Sequence, residues 1–186
     1  GEREDELTGF YSQPGVGDHD ADGVPDVLIA GMGYSSTTGR TYVIEGPVSG
    51  ETDLGGADGR MNGESTGDGS GARIRWAGDL DDDGRDDMLI GAWRDDDADT
   101  DAGAVYVVLG KAFKGGLTSA DYKLIGEAES DYAGSGLAAM SDMDGDGEID
   151  LAIGAYGEDS AGEGAGAVYL FSGGVSGDGS LADADA

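Results

Sequence analysis

The residues in this chain best suited to chemistry are aspartates in three short loops. They are Asp18-His19-Asp20-Ala21-Asp22-Gly23-Val24-Pro25-Asp26, then the loop Asp79–Asp87, then the loop Asp142–Asp150, and all three read D-x-D-x-D-G-x-x-D. Their starts lie 61 and 63 residues apart. Three carboxylates at alternating positions converge on one point when the chain curls tightly, which makes a cage for a hard cation. The glycine at position 6 lets the backbone turn where a side chain would clash. Oxygen-only donors select calcium, magnesium or manganese over zinc or copper, and several carboxylates together favour calcium over magnesium. A single loop of this kind also fits a solvated Asp-Gly turn. Three in-phase copies with identical key positions, each followed by the same apolar run, do not.

Two other calcium loops are excluded by position. An EF-hand or dockerin loop shares the first six residues but needs a bidentate acid at position 12, inside a helix. Position 12 is Ile29, Ile90 and Ile153, and the fourth acid stands at position 9, as Asp26, Asp87 and Asp150. A β-roll built on nine-residue repeats fails because no such repeat tiles the chain.

Strands must position these loops. Each is followed by a short apolar run ending in small residues: Val27-Leu28-Ile29-Ala30-Gly31, Met88-Leu89-Ile90-Gly91-Ala92 and Leu151-Ala152-Ile153-Gly154-Ala155. These are too short for stable helices and read as buried strands. After a variable polar loop (Gly33 to Gly39 in the first copy) comes a second strand: Thr41-Tyr42-Val43-Ile44, Val105-Tyr106-Val107-Val108 or Val168-Tyr169-Leu170-Phe171. β-Branched and aromatic residues dominate there, and the shared tyrosine is expected to pack in a core or an interface. Irregular outer segments lead to Arg60-Met61-Asn62-Gly63-Glu64 and Lys123-Leu124-Ile125-Gly126-Glu127, with Leu7-Thr8-Gly9 as a shortened equivalent. Small-residue strands over 71–78 and 134–141 then feed the next loop, as suits a crowded inner strand. Each repeat holds about four strands in roughly 60 residues, the size of a propeller blade with a longer loop.

Composition bounds the remainder. The chain has 186 residues, 38 glycines, three prolines and no cysteine, which excludes disulfides and thiolate chemistry. The net charge is −30, so nucleic acid and anionic membrane surfaces are repelled. Three divalent cations would bring −30 only to about −24, and the remaining acidity suits a halophilic source or an acidic extracellular protein. No apolar run approaches the roughly 20 residues of a membrane span. The start Gly-Glu-Arg-Glu-Asp-Glu is no signal peptide, and the chain reads as a mature segment or a cut piece that stops in mid-pattern at Ala186.

The loops, the Ile-Gly-Ala turns and the Ala-Val-Tyr strands resemble FG-GAP repeats, which form the β-propeller of integrin α subunits. The name-giving Phe-Gly pair is replaced by Ser70-Gly71 and Ala133-Gly134. The resemblance implies an all-β fold of propeller-type blades: three four-stranded repeats, each with a DxDxDGxxD calcium loop between its first two strands. Repeat 1 takes residues 1–57 and is shortened at its N-terminal end. Repeat 2 takes 58–120, and repeat 3 takes 121–186 with the start of the following connection. It also implies one Ca2+ per loop, held by the side chains at positions 1, 3, 5 and 9 and the carbonyl at position 7. These are Asp18, Asp20, Asp22, Asp26 and Val24, then Asp79, Asp81, Asp83, Asp87 and Arg85, then Asp142, Asp144, Asp146, Asp150 and Glu148. Three blades do not readily close, since propellers have four to eight. The expected architecture is therefore an incomplete propeller, an open array or part of a larger assembly, formed with copies of itself or with neighbouring blades of a longer chain.

The function expected is a non-catalytic, calcium-binding extracellular or cell-surface module for adhesion or structural assembly. Two alternatives are a lectin-like or protein-ligand recognition domain using the inter-strand loops, and an accessory propeller of a secreted hydrolase. Neither nucleic acid binding nor membrane insertion is expected. His19, the sole histidine, is read as a solvent-facing spacer, which leaves no Ser-His-Asp site. Trp76 and Trp93 are read as core. The run Asp95–Asp101 is read as solvated surface, against contact with a basic partner or a further cation.

Overall fold

The structure is a computed structural model that describes residue 8 and residues 16–33, 37–110, 113–173 and 175–186. Residues 7, 9 and 34–36, on which parts of the expected outer segment and first polar loop fall, lie outside these. In chain order the strands begin with β1 (Val16–Gly17), β2 (Asp26–Gly31), β3 (Arg40–Ile44) and β4 (Gly59–Asn62). Next come β5 (Arg73–Gly78), β6 (Asp87–Ala92), β7 (Ala104–Val108), β8 (Lys114–Gly116) and β9 (Tyr122–Ile125). The last are β10 (Ala133–Met140), β11 (Asp150–Ala155), β12 (Ala167–Phe171) and β13 (Gly179–Ser180).

These strands build three sheets. Sheet 1 runs β1-β2-β3-β4-β8, sheet 2 runs β5-β6-β7-β9-β13 and sheet 3 runs β10-β11-β12. Apart from β8 and β13, neighbouring strands within each sheet pair antiparallel. Sheet 3 also gains the beginning of a fourth strand, because Leu170 and Asp185 donate to the carbonyls of Ala186 and Leu170. β4 lies in the segment 58–120 and pairs with β3 of the preceding segment, so the sequence repeat and the sheet are out of phase by one strand. Thr8 bridges Gly31 as Ala133 pairs with Ala155, so Thr8 stands at the opening of an inner strand and not of an outer one.

The segments read as irregular carry a device that the sequence analysis missed. β8, which follows sheet 2 in the chain, pairs in parallel with β4 of sheet 1, and β13, which follows sheet 3, does the same onto β9 of sheet 2. Each strap runs into a 3-10 turn, Leu117–Ser119 or Leu181–Asp183, whose leucine is buried. Leu117 joins the core between sheets 1 and 2, and Leu181 the core between sheets 2 and 3.

Sheet 2 is therefore covered on both faces. Met88, Ile90 and Tyr106 pack with Leu28, Val43 and Met61 of sheet 1, while Leu89, Val105 and Val107 pack with Leu151 and Ile153 of sheet 3. All of β6 and β7 is buried, which is why both read as continuous apolar runs without alternation. Glycine permits the inner strands to approach: a Cβ on Gly91 would lie 2.3 Å from the Gly134 carbonyl oxygen. β12 has only one covered face, and Val168 is 62% exposed.

Candidate metal centres

Each acidic loop joins the first two strands of its sheet: β1 to β2, β5 to β6, and β10 to β11. The backbone takes the left-handed region at position 6, where Gly23, Gly84 and Gly147 have φ of 84°, 89° and 99°. It takes the same region at position 4, as Ala21, Asp82 and Gly145. Only the third loop has glycine there, so the first two carry a local conformational cost of about 1 kcal/mol each.

The carboxylates fold onto their own loop. Asp18 Oδ2 accepts from Gly23 N at 2.9 Å, Asp79 Oδ2 from Gly84 N at 2.8 Å and Asp142 Oδ2 from Gly147 N at 3.0 Å. Position 5 accepts from the amide of position 7 in all three loops, at 2.7, 3.0 and 2.8 Å. Oxygens of Asp18, Asp20 and Asp22 gather within 4.8 Å of one another, as do those of Asp79, Asp81 and Asp87 and those of Asp142, Asp144 and Asp146. The second trio draws on position 9 where the other two draw on position 5. All the donors are oxygens, which suits a hard cation.

Position 9 has a further task that its residue type did not reveal. Asp26, Asp87 and Asp150 are all buried. One oxygen of each accepts from the amide of position 2: His19 at 2.9 Å, Leu80 at 2.6 Å and Met143 at 2.6 Å. The other accepts from a glycine just past the third strand of the sheet: Gly46 at 2.9 Å, Gly110 at 2.6 Å and Gly173 at 3.1 Å. The aspartate thus pins its loop to the end of the adjacent strand, where the third strand of the sheet leaves it. Burial pushes the Asp87 carboxyl up to about 6 against the hydrogen bonds from Leu80 and Gly110, and repulsion from Asp81 and Asp79 adds to the rise.

Three expectations need correction. His19 is not solvent-facing: it is 6% exposed, and its Nδ1 lies 2.8 Å from Asp26 Oδ2. The position-9 carboxylate recruits it as a hydrogen-bond partner. Trp93 is not closed into a core. With Tyr132 and Tyr156 it forms an aromatic group at 5.5 and 6.2 Å between ring centroids, beside a cavity of about 710 Å³ walled also by Met32, Arg73 and Val168. Trp76, by contrast, packs against the first core as expected. The run Asp95–Asp101 is not all solvated surface, because Asp95 is 2% exposed.

Asp95 turns inward to a fourth acidic trio, Glu64, Asp95 and Asp97. One lysine offsets part of its charge: Lys123 Nζ lies 2.8 Å from Glu64, 2.9 Å from Asp95 and 2.5 Å from Asp97. Burial alone would lower the Lys123 pKa, but its hydrogen bonds to Asp97, Glu64 and Asp95 outweigh this and hold the ammonium above its usual range. The Tyr106 hydroxyl lies 2.6 Å from Glu64 and 2.8 Å from Asp95, which share its one proton, and burial with these acceptors raises its pKa. Tyr169 bonds Glu127 in the same way in the next repeat. The sequence held one signal for this: tyrosine and glutamate keep a spacing of 42 residues in both copies.

The molecule is an all-β array of repeated sheets, each with an acidic loop between its first two strands. Residues 133–171 match the family model of the FG-GAP repeat. That stretch comprises β10, the third acidic loop, β11 and β12. The match agrees with the resemblance read from the loops and strands. FG-GAP repeats point to a β-propeller-like module for ligand recognition, are generally non-catalytic and are typically extracellular. Among the described residues, no helix is long and apolar enough to cross a membrane.

Proposed function

We propose that each acidic loop holds one calcium ion and that the chain is a non-catalytic extracellular module for adhesion or structural assembly. The observation that carries this reading is the recurrence of an all-oxygen trio, within 4.8 Å, at the same place in three sheets. The proposed ligands are the aspartates at positions 1, 3, 5 and 9 of each loop and the carbonyls of Val24, Arg85 and Glu148. When bound, a divalent cation neutralises carboxylates that otherwise repel one another. The chain supplies the rest: position 1 orients the loop through the glycine amide, and position 9 joins the loop to the end of the adjacent strand. Binding is thereby linked to folding, and metal replaces the disulfides that a chain without cysteine cannot form.

The test is thermal unfolding with calorimetric titration. Melting temperature should rise with millimolar calcium, fall with chelator and respond less to magnesium, with three ions bound per chain. Melting indifferent to chelator would remove the reading.

A second reading, recognition of a carbohydrate or protein ligand through the inter-strand loops, is favoured by the cavity beside Trp93. Tyr132 and Tyr156 stack there at 4.7 Å, and the buried Trp93 indole N–H has no acceptor among the described residues. A glycan array probed with and without calcium tests it.

A further inference from the structure

Loops 1 and 2 are bonded to each other, although they belong to different sheets. Asp18 N donates to Asp86 Oδ2 at 2.9 Å, and Asp86 N donates back to the Asp18 carbonyl at 2.9 Å. Arg85 Nη1 donates to the His19 carbonyl at 3.1 Å. The contact is close: a Cβ on Gly17 would lie 2.9 Å from Asp86 Oδ2 and 2.5 Å from the Trp76 ring. Asp86 and Arg85 stand at positions 8 and 7 of the second loop, outside its carboxylate trio, and they grip the first two residues of loop 1.

Loops 2 and 3 have no such link among the described residues. The residue matching Asp86 is Ile149, which packs near Gly78, and the residue matching Arg85 is Glu148. An apolar side chain and an acid replace the acceptor and the cation that bind loop 1.

We infer that Asp86 and Arg85 are positioning residues for the first metal loop, and that they couple its affinity to the state of the second. The inference rests on the calcium reading above. Arg85 connects the two loops directly. Its amide donates to Asp83 Oδ1 at 3.0 Å within loop 2, while its guanidinium holds loop 1. Ordering residue 85 on one side therefore orders the backbone that presents Asp18 on the other. By linkage the effect is reciprocal: filling either loop tightens the other, whereas loop 3 fills independently.

The amides of Gly23, Gly84 and Gly147 sit at position 6 of the three loops and report each separately by 1H–15N NMR during calcium titration. In the unaltered chain the Gly23 and Gly84 midpoints should move together, with a separate midpoint for Gly147. In Asp86→Ala the Gly23 midpoint should shift at least fivefold to higher calcium, with Gly147 unchanged. Asp86→Asn keeps an acceptor for Asp18 N and should shift less, which separates positioning from general loss of fold. A Gly23 midpoint unmoved in both variants overturns the coupling while leaving calcium binding intact. Three glycine amides that ignore calcium overturn both the coupling and the reading beneath it.

Discussion

Lys123 Nζ and Glu64 Oε2 lie 2.8 Å apart, and the pair ties sheet 2 to the segment that leaves sheet 1. Lys123 also holds Asp95, whose side chain is only 3% exposed. Removing one partner of a buried ion pair leaves the other charge uncompensated, and that cost exceeds what the intact pair contributes. Lys123→Met should destabilise the chain by about 3 kcal/mol. Lys114→Met, at an exposed strap residue, should stay within about 0.5 kcal/mol. Urea unfolding midpoints decide between them, and equal midpoints would show that the Lys123 hub contributes nothing.

Asp150 and Asp144 belong to the same loop but serve it differently. Asp150 is buried and accepts from Met143 and Gly173, so Asp150→Ala strands two amides in any condition. Each stranded buried donor costs about 1–3 kcal/mol. Asp144 is exposed and, among the described residues, accepts a loop amide alone, that of Asp146. Asp144→Ala should change the chelated protein little and remove part of the gain from calcium. Melting of both variants with calcium and with chelator checks this, and a loss that depends on calcium to the same degree in both would contradict the division of roles.

Asp68 gives a pH dependence with a defined sign. Burial pushes its carboxyl up to about 6 against the hydrogen bond from Ser65, and Asp95 and Asp96 add to the rise. The folded state therefore holds the proton more tightly than the unfolded chain, whose value is near 3.8. The resulting stabilisation is full below 3.8 and is lost as pH rises through about 6. Asp68→Asn keeps the acceptor for Ser65 and abolishes the charge. It should stabilise the chain at pH 7.5 by on the order of 2–3 kcal/mol and have no effect at pH 3.5. A constant difference across that range would show that Asp68 titrates normally.

The short strands that flank each acidic loop, and the place of each loop between them, followed from local chemistry. β-Branched runs, closing glycines and alternating aspartates are constraints among residues close in sequence, and each acts through its own backbone. Burial of the shared tyrosines was legible for the same reason in two of the three: Tyr42 is 0% exposed and Tyr106 is 1% exposed, whereas Tyr169 on the one-sided β12 is half-buried.

What remained illegible involves residues far apart in the chain. Nothing in the residues of β8 marks Lys114–Gly116 as a strap, because its partner strand lies more than 50 residues earlier and pairing is mostly through backbone. Asp95 looked like any member of an acidic run until Lys123 arrived beside it. The sequence by itself determined where carboxylates could converge, since spacing and turn geometry are local. Only the tertiary structure decided which of those carboxylates share a trio, which one ties its loop to the neighbouring strand and which gather around a lysine. Charge interactions depend on distance in space, and packing the sheets face to face brings Lys123 to Glu64 and Asp86 to Asp18.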